Sequence, residues 1–172
     1  MNRKLSLESA YDLKSPKDNI ELYSVWAETY DMDFINEMNY QLHFSVADEF
    51  ILNGGEGLIL DVGAGTGALA QALLQKRKFS IEATDISEEM LKVAESKKIY
   101  QRSFVSDLTK EIPVDNGSYD GVVSSGTFTH GHVGPSAIDE LVRVTKHGGL
   151  ITISINEKHW IALDFDSEVK KL

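Results

Sequence analysis

The feature that most constrains the fold of this chain is a glycine-rich loop placed directly after a short apolar run. Residues 58–62, LILDV, have the composition of a buried strand, and residues 63–68, GAGTGA, follow at once. Residues 68–76 then have the pattern of a helix. Glycine permits a sharp turn and a close approach of a ligand to the backbone, and a tight turn alone does not need three alternate glycines. The sequence therefore predicts a strand, a ligand-binding loop and a helix in succession.

Beyond this loop, strand-like and helix-like segments alternate. Strands are predicted at 79–84, 103–105, 119–124 and 150–155, and helices at 87–96 and 135–146. Such alternation implies parallel strands joined by right-handed crossovers, with helices on both faces of the sheet. The predicted fold class is α/β, a doubly wound and mainly parallel sheet that holds ligands beyond the carboxyl ends of its strands.

The part of the chain before the loop is predicted to be helical. Apolar side chains recur every three or four residues over about 19–29 and 38–52, with a break near 31–36. Residues 1–19 are polar and predict a loose arm or a short helix. We therefore expect an N-terminal arm and helical lid at 1–53 and a cofactor-binding core at 54–172, together one structural domain.

Charge is distributed unevenly along the 172 residues. The chain has 27 acids, 17 bases and a net charge of −10, and no Lys or Arg lies between Lys17 and Lys76, where ten acids occur. This balance argues against nucleic acid as a partner. The lack of cysteine excludes disulfides, thiolate metal sites and cysteine nucleophiles. There is no signal-peptide pattern and no apolar run near the roughly 18 residues of a membrane span, so we expect a cytoplasmic protein with no membrane partner.

Three classes of ligand are candidates for the glycine loop. A nucleotide P-loop would need Gly-Lys-Ser/Thr at its end, and here Gly67 is followed by Ala68. A dinucleotide fingerprint fits Gly63, Gly65 and Ala68, with Asp85 about 20 residues on, so the loop motif alone leaves this class open. The third class is S-adenosylmethionine, which is cationic at its methionine end. Asp61 at the strand tip can pair with its ammonium group and would repel a pyrophosphate.

Residues 58–67, LILDVGAGTG, resemble motif I of the class I S-adenosylmethionine-dependent methyltransferases. The likeness continues in order from about Tyr23 to Asn156. Its further segments are ATDISEEML at 83–91, SDL at 106–108, YDGVVSS at 119–125 and ELVRVTKHGGL at 140–150. Five matches in order are far more specific than one. The resemblance implies a Rossmann-like sheet of order 3-2-1-4-5, S-adenosylmethionine as cofactor and S-adenosylhomocysteine as product.

The resemblance also implies roles for particular residues. Asp85 corresponds to the acid that binds the ribose hydroxyls, Asp107 to the acid that meets the adenine amino group, and Leu108 to a support for the ring. Aromatic residues of the lid commonly close over the cofactor, which points to Tyr30, whereas Trp26 fits a core position equally well. The predicted cofactor-binding residues are Tyr23, Tyr30, Asp61, Gly63, Ala64, Gly65, Thr66, Asp85, Ile86, Met90, Asp107, Leu108 and Ser124.

The methyl acceptor is expected near residues 125–133, SGTFTHGHV, which follow the fourth predicted strand. His132, or else His130, is a candidate general base, because histidine titrates near neutrality. Either imidazole could instead bond its own loop, and two imidazoles without a third ligand do not predict a metal site. The chain lacks the Asn/Asp-Pro-Pro-Tyr/Phe motif of many amino-methylating enzymes of DNA and protein. Together with the acidic charge, this favours a small-molecule acceptor.

One departure from the family pattern concerns residues 156–172. Family members usually continue from the fifth strand into a helix and an antiparallel pair of strands, and these 17 residues leave room for a loop and a helix such as 166–172. We expect the closing pair to be absent and the exposed edge to promote association or poor solubility, with a monomer or homodimer as the assembly. Two rival functions stay open, an NAD(P)-dependent oxidoreductase and a non-catalytic binding module on the same fold.

Overall fold

A single parallel sheet organises the computed structural model, which describes residues 16–36, 40–129 and 132–172. Its strands are β1 (Leu58–Val62), β2 (Ser80–Asp85), β3 (Arg102–Val105), β4 (Tyr119–Phe128) and β5 (Thr145–Ile155). Their order is β3-β2-β1-β4-β5, and each neighbouring pair is parallel. The predicted fold class and strand order are therefore confirmed.

Helices cover both faces of this sheet. They are α1 (Pro16–Trp26), α2 (Leu42–Leu52), α3 (Ala68–Lys76), α4 (Glu88–Ser96), α5 (Ala137–Val144), α6 (Glu157–Ala162) and α7 (Phe165–Val169). Because successive strand side chains point to opposite faces, Leu60 and Val62 of β1 pack in the core under α5, whereas Ile59 packs under α2 and α3. The central strand β1 is thus buried on both faces, which fixes the loop that follows it.

The lid contains an element that periodicity did not predict. Residues Asp31–Asn36 form a π-helix where the sequence indicated a break, so that expectation is wrong. The backbone N–H groups of Met32 and Asp33 both bond the carbonyl of Thr29, which keeps the chain helical through the turn. Helix α1 begins and ends three residues earlier than predicted. Residues 1–15 of the predicted arm (1–19) and residues 38–39 of the second predicted helix (38–52) lie outside the described residues.

Other boundaries differ at the ends of β4, α5 and β5. Strand β4 continues to Phe128, and β5 begins at Thr145 instead of Leu150, because Thr145 pairs with Tyr119 before a register shift brings Leu150 opposite Gly121. The predicted helix at 166–172 is replaced by α6 and α7, and the Asn156 side chain accepts a hydrogen bond from the His159 N–H at the start of α6. Across the three described ranges, no helix has the length and apolarity needed to cross a bilayer.

Candidate functional site

A cavity of about 290 Å³ lies at the carboxyl ends of the strands, beneath the lid. This is the edge at which doubly wound sheets hold ligands. Its wall includes every predicted site residue that the structure describes except Ser124. These wall residues are Tyr23, Tyr30, Asp61, Gly63, Ala64, Gly65, Thr66, Asp85, Ile86, Met90, Asp107, Leu108 and His132.

Two glycines of the loop meet different requirements. Gly63 has φ +66°, and a Cβ there would approach Thr127 Oγ1 to 2.1 Å, so the loop packs tightly against the end of β4. Gly65 has φ +53°, and a Cβ there would meet no atom within 4 Å. Since Gly65 borders the cavity, its missing side chain leaves a backbone surface that a ligand can approach closely.

Asp85 is held at the tip of β2 by backbone donors. Its Oδ2 accepts a hydrogen bond from Gly65 N at 2.8 Å, and its Oδ1 accepts one from Ser87 N at 2.9 Å. Burial raises the pKa of Asp85, and the N–H groups of Ser87, Gly65 and Ile86 oppose that rise. A carboxylate has about four acceptor positions, so the group can still accept a hydrogen bond from a ligand.

Asp61 is the most deeply buried acid of the cavity wall. Only 1% of its surface is exposed, and its Oδ2 accepts a hydrogen bond from the Tyr100 hydroxyl at 2.7 Å. Burial raises the pKa of Asp61 to about 7, with Asp85 adding to the rise and the Tyr100 hydrogen bond opposing it. A ligand cation beside Asp61 would favour its ionised form. Nothing in the sequence pattern indicated Tyr100, which precedes β3 and lies 39 positions from its partner.

Asp107 borders the cavity while its carboxylate caps a turn. Its Oδ1 accepts hydrogen bonds from Thr109 N at 3.0 Å and from Thr109 Oγ1 at 2.6 Å, and its Oδ2 lies 3.1 Å from Lys110 Nζ. Burial raises the pKa of Asp107, but the bonds from Thr109 and Lys110 outweigh it and hold the pKa below its ordinary value. Asp107 therefore caps a turn and also forms part of the cavity wall.

Aromatic rings form the lid side of the cavity. Tyr23 and Tyr30 border it, and their ring centroids are 6.1 Å apart. Trp26 is 1% exposed and packs behind both rings, with centroid distances of 6.3 Å to Tyr23 and 5.1 Å to Tyr30. Its indole N–H donates to Asp33 at 3.3 Å. Trp26 is thus a core residue that supports the two tyrosines of the wall.

The side of the cavity at the ends of β4 and β5 contains neutral polar groups. His132 Nε2 lies 3.2 Å from the Tyr23 hydroxyl, and Ser125 Oγ lies 3.4 Å from the Tyr40 hydroxyl. Ser154 Oγ accepts a hydrogen bond from Gly126 N at 3.1 Å. The predicted base His132 is therefore in the wall, next to a lid tyrosine. Tyr40 and Ser154 were not indicated by the sequence.

One predicted residue, Ser124, is not brought into the site. Ser124 is fully buried, and its hydroxyl donates to the Val62 carbonyl at 2.6 Å, so the sequence-based assignment of Ser124 to the cofactor does not fit this geometry. The neighbouring Ser125 borders the cavity instead, because successive strand residues alternate in direction. His130 lies outside the described residues.

The charges of the cavity wall all have one sign. Among the described wall residues, Asp61, Asp85 and Asp107 are acidic and none is Lys or Arg. The described ranges also contain no group of three or more His, Cys, Asp or Glu side chains that could hold a metal ion. The site can therefore hold a ligand with hydroxyl and cationic groups beside its acids, and its described wall residues include no Lys or Arg to pair with a phosphate.

Comparison with known proteins gives one family. Residues 60–153 match the family of methyltransferase domains. Human methyltransferase-like protein 27 is 31% identical over 86% of this chain and 62% of its own length. A ubiquinone/menaquinone biosynthesis C-methyltransferase of Burkholderia mallei is 29% identical over 90% of this chain and 59% of its own length. The chain therefore spans about three fifths of the length of these two relatives.

A solved structure agrees with the same family. It is a candidate S-adenosyl-L-methionine-dependent methyltransferase of Methanococcus maripaludis, 25% identical, with a TM-score of 0.57 over 87% of this chain and 71% of that one.

Proposed function

The chain belongs to the methyltransferase domain family, and from that premise we propose that it transfers a methyl group from S-adenosylmethionine to a small-molecule acceptor. The observation that carries this proposal is Asp85, fixed by two backbone amides beside the open surface of Gly65. A carboxylate at the edge of a cavity suits the hydroxyls of a ribose, which can donate hydrogen bonds to it. S-adenosylhomocysteine, the product, has the same ribose and fits the same residues.

Asp61 supports the choice of a cationic cofactor over a dinucleotide. Its carboxyl is buried at the tip of β1, and its pKa is raised to about 7 by burial. A neighbouring ammonium group would stabilise the ionised carboxylate, whereas a pyrophosphate would be repelled by it. The wall offers a pyrophosphate no Lys or Arg among its described residues. These observations disfavour the NAD(P)-dependent alternative.

Apolar side chains support the remaining part of the cofactor site. Ile86, Met90 and Leu108 border the cavity, and Met90 and Leu108 are 2% and 8% exposed. Ile86 and Met90 follow Asp85 in the sequence and Leu108 follows Asp107, and a planar base would gain burial against such apolar groups. We assign the ring contact to Leu108 and the adenine amino group to Asp107.

When bound, S-adenosylmethionine supplies an electrophilic methyl group on a positively charged sulfur. The chain supplies alignment, exclusion of water and a proton acceptor. We assign the proton acceptor to His132, whose neutral imidazole takes the proton that an O or N nucleophile loses as it is methylated. The Tyr23 hydroxyl, 3.2 Å from Nε2, holds this ring in orientation.

The acceptor is a small neutral or cationic molecule. A carboxylate or phosphate on the acceptor would enter a cavity whose charged described wall residues are all acids, and the chain as a whole has a net charge of −10. These charges also disfavour nucleic acid. A cytoplasmic location, a monomer or homodimer, and the division into a lid at 1–53 and a core at 54–172 are further parts of this proposal.

Titration calorimetry tests the cofactor directly. We expect one molecule of S-adenosylhomocysteine or S-adenosylmethionine to bind per chain, and NADH to give no heat. Binding of NADH without binding of either sulfur compound would favour an oxidoreductase. Binding of the cofactor with no methyl transfer to any acceptor in a screen of neutral and cationic metabolites would favour the non-catalytic module.

A further inference from the structure

One carboxylate joins the lid to the glycine loop. Asp31, the first residue of the π-helix, accepts a hydrogen bond on Oδ1 from the Thr66 hydroxyl at 2.5 Å. Its Oδ2 accepts a charged hydrogen bond from Lys97 Nζ, also at 2.5 Å. Lys97 in turn donates to Gln71 Oε1 at 3.1 Å. Asp31 therefore connects the lid with the loop after β1, the helix α3 and the end of α4.

These contacts are shielded from solvent more than an ordinary surface ion pair. The Lys97 side chain is 18% exposed and the Asp31 side chain 40%, and Thr66 is 1% exposed. By contrast, Lys92 and Glu88 form a pair on the same helix α4 with side chains 61% and 65% exposed. Exposed pairs of that kind contribute little to stability, whereas a shielded pair is screened less by water and salt.

We propose that Asp31 and Lys97, acting through Thr66, form a latch that positions the lid over the bound cofactor. The proposal rests on the proposed function, because it concerns retention of the same cofactor. Tyr30, next to Asp31 in the chain, borders the cavity, and Thr66 lies between Gly65 and Gly67 of the loop. Loss of the latch would therefore loosen the aromatic wall and the glycine loop together. Neither Asp31 nor Lys97 borders the cavity, so both are positioning residues.

Charge explains why the latch needs a lysine from outside the lid. No Lys or Arg occurs between Lys17 and Lys76, so residues 18–75, which include Asp31 and the glycine loop, contain neither of these bases. Lys97, at the end of α4, therefore supplies the positive charge that pairs with Asp31 and ties the lid to that helix.

Other contacts besides the latch also hold the lid. Ser24 Oγ donates to Glu89 Oε2 at 2.8 Å, and the Tyr23 hydroxyl meets His132 at 3.2 Å. Because these two contacts remain when the latch is broken, we expect the lid to open more often instead of detaching. The expected consequence is faster release of the cofactor.

The test combines a kinetic and an exchange measurement on matched variants. Stopped-flow fluorescence gives the rate at which S-adenosylhomocysteine dissociates, since Trp26 lies in the lid. We expect that rate to rise about tenfold in Asp31→Ala, which loses a hydrogen bond and an ion pair, and about threefold in Lys97→Met. Lys92→Met, which breaks the exposed pair on the same helix, should leave it within about twofold of the original.

Hydrogen exchange of the backbone amides of residues 16–36 in the cofactor-free protein measures the opening of the lid independently. Exchange should be faster in Asp31→Ala and Lys97→Met and unchanged in Lys92→Met. Thr66→Val should behave like Asp31→Ala, and Thr66→Ser, which keeps the hydroxyl, should restore the original behaviour.

The proposal is overturned if Lys97→Met changes neither the dissociation rate nor the exchange of 16–36, or if Lys92→Met changes them equally. Lys97→Met decides the question if Asp31→Ala does not fold. Failure of the unaltered protein to bind S-adenosylhomocysteine would refute the proposed function instead, and the exchange measurement would still test the latch.

Discussion

The two halves of the cavity are built by different means. In the half at β1 and β2, Asp61 and Asp85 are held by groups close to the glycine loop, including the backbone N–H of Gly65. In the half at β4 and β5, the contacts join segments far apart in the chain, such as Tyr23 and His132, separated by 109 positions. The first half places two acids beside the glycine loop, one of them held by backbone N–H groups, and the second places hydroxyls and an imidazole in the wall. We infer that the first half serves the cofactor and the second serves the acceptor.

The largest expected effect is the loss of turnover when His132 is replaced, and it distinguishes the two halves of the cavity. Replacing it by alanine should lower turnover about a hundredfold, since a positioned base contributes at least that much, and should leave the affinity for S-adenosylhomocysteine unchanged. Turnover is measured with the acceptor that a metabolite screen identifies. His147→Ala is the control, because His147 is exposed near the opposite end of β5. If His132→Ala lost as much affinity for S-adenosylhomocysteine as it lost turnover, the assignment of the two halves to cofactor and acceptor would be contradicted.

The second prediction concerns the affinity for the cofactor, which replacement of Asp85 should lower. Asp85→Ala should weaken binding of S-adenosylhomocysteine about thirtyfold, because it removes a charged acceptor of two ligand hydrogen bonds. Asp115→Ala, in an exposed turn, is the control, and thermal unfolding shows whether the glycine loop survives the change. Unchanged affinity in a folded Asp85→Ala protein would remove the ribose role.

Binding of the cofactor should change the protonation of Asp61, which lies in the half at β1 and β2. With the pKa of Asp61 at about 7 in the free protein, binding of a cationic cofactor at pH 7 should release about half a proton as this pKa falls. Calorimetry in two buffers of different ionisation enthalpy measures the release, and Asp61→Asn should abolish it. The ammonium role would be contradicted by proton uptake, or by equal release from Asp61→Asn.

The raised pKa of Asp61 also determines how the free energy of unfolding changes with pH. Because its folded pKa of about 7 lies above the ordinary value of 3.8, the folded protein binds more protons than the unfolded chain between about pH 4 and pH 7. The contribution of Asp61 to the free energy of unfolding therefore falls as the pH rises through that range. Denaturant unfolding of the cofactor-free protein should show a weaker decline for Asp61→Asn, and an identical pH profile would count against a buried, titrating Asp61.

The smallest expected effect concerns the orientation of His132. Tyr23→Phe keeps the ring in the cavity wall but removes the hydroxyl 3.2 Å from Nε2. We expect turnover to fall about threefold with no change in cofactor affinity, in line with the modest net value of one neutral hydrogen bond. A larger loss of affinity than of turnover would place Tyr23 in the cofactor half.

The difference between the halves also explains how much the sequence could predict. The sheet order was implied by the resemblance of five segments to one family, and the positions of Asp61, Gly65 and Asp85 follow from local motifs in which strand, loop and helix are consecutive. The partners Tyr100 and Lys97 could not be predicted, since only the folded chain brings them to the glycine loop. Ser124 shows a further limit, because a one-residue difference along β4 decides whether a hydroxyl faces the core or the cavity.

The predicted helix boundaries in the lid were wrong for a related reason. Periodicity of apolar residues indicates a helical face but cannot distinguish a break from the π-helix at Asp31–Asn36. That distinction matters for function, because the π-helix begins with the residue that contacts Thr66.

A crystal structure with S-adenosylhomocysteine tests the division of the cavity most directly. The account predicts ribose hydroxyls within hydrogen-bond distance of Asp85, the amino group of the homocysteine portion beside Asp61, and the sulfur directed towards Tyr23 and His132. A nucleoside bound in the half at β4 and β5, or a ribose without contact to Asp85, would contradict it.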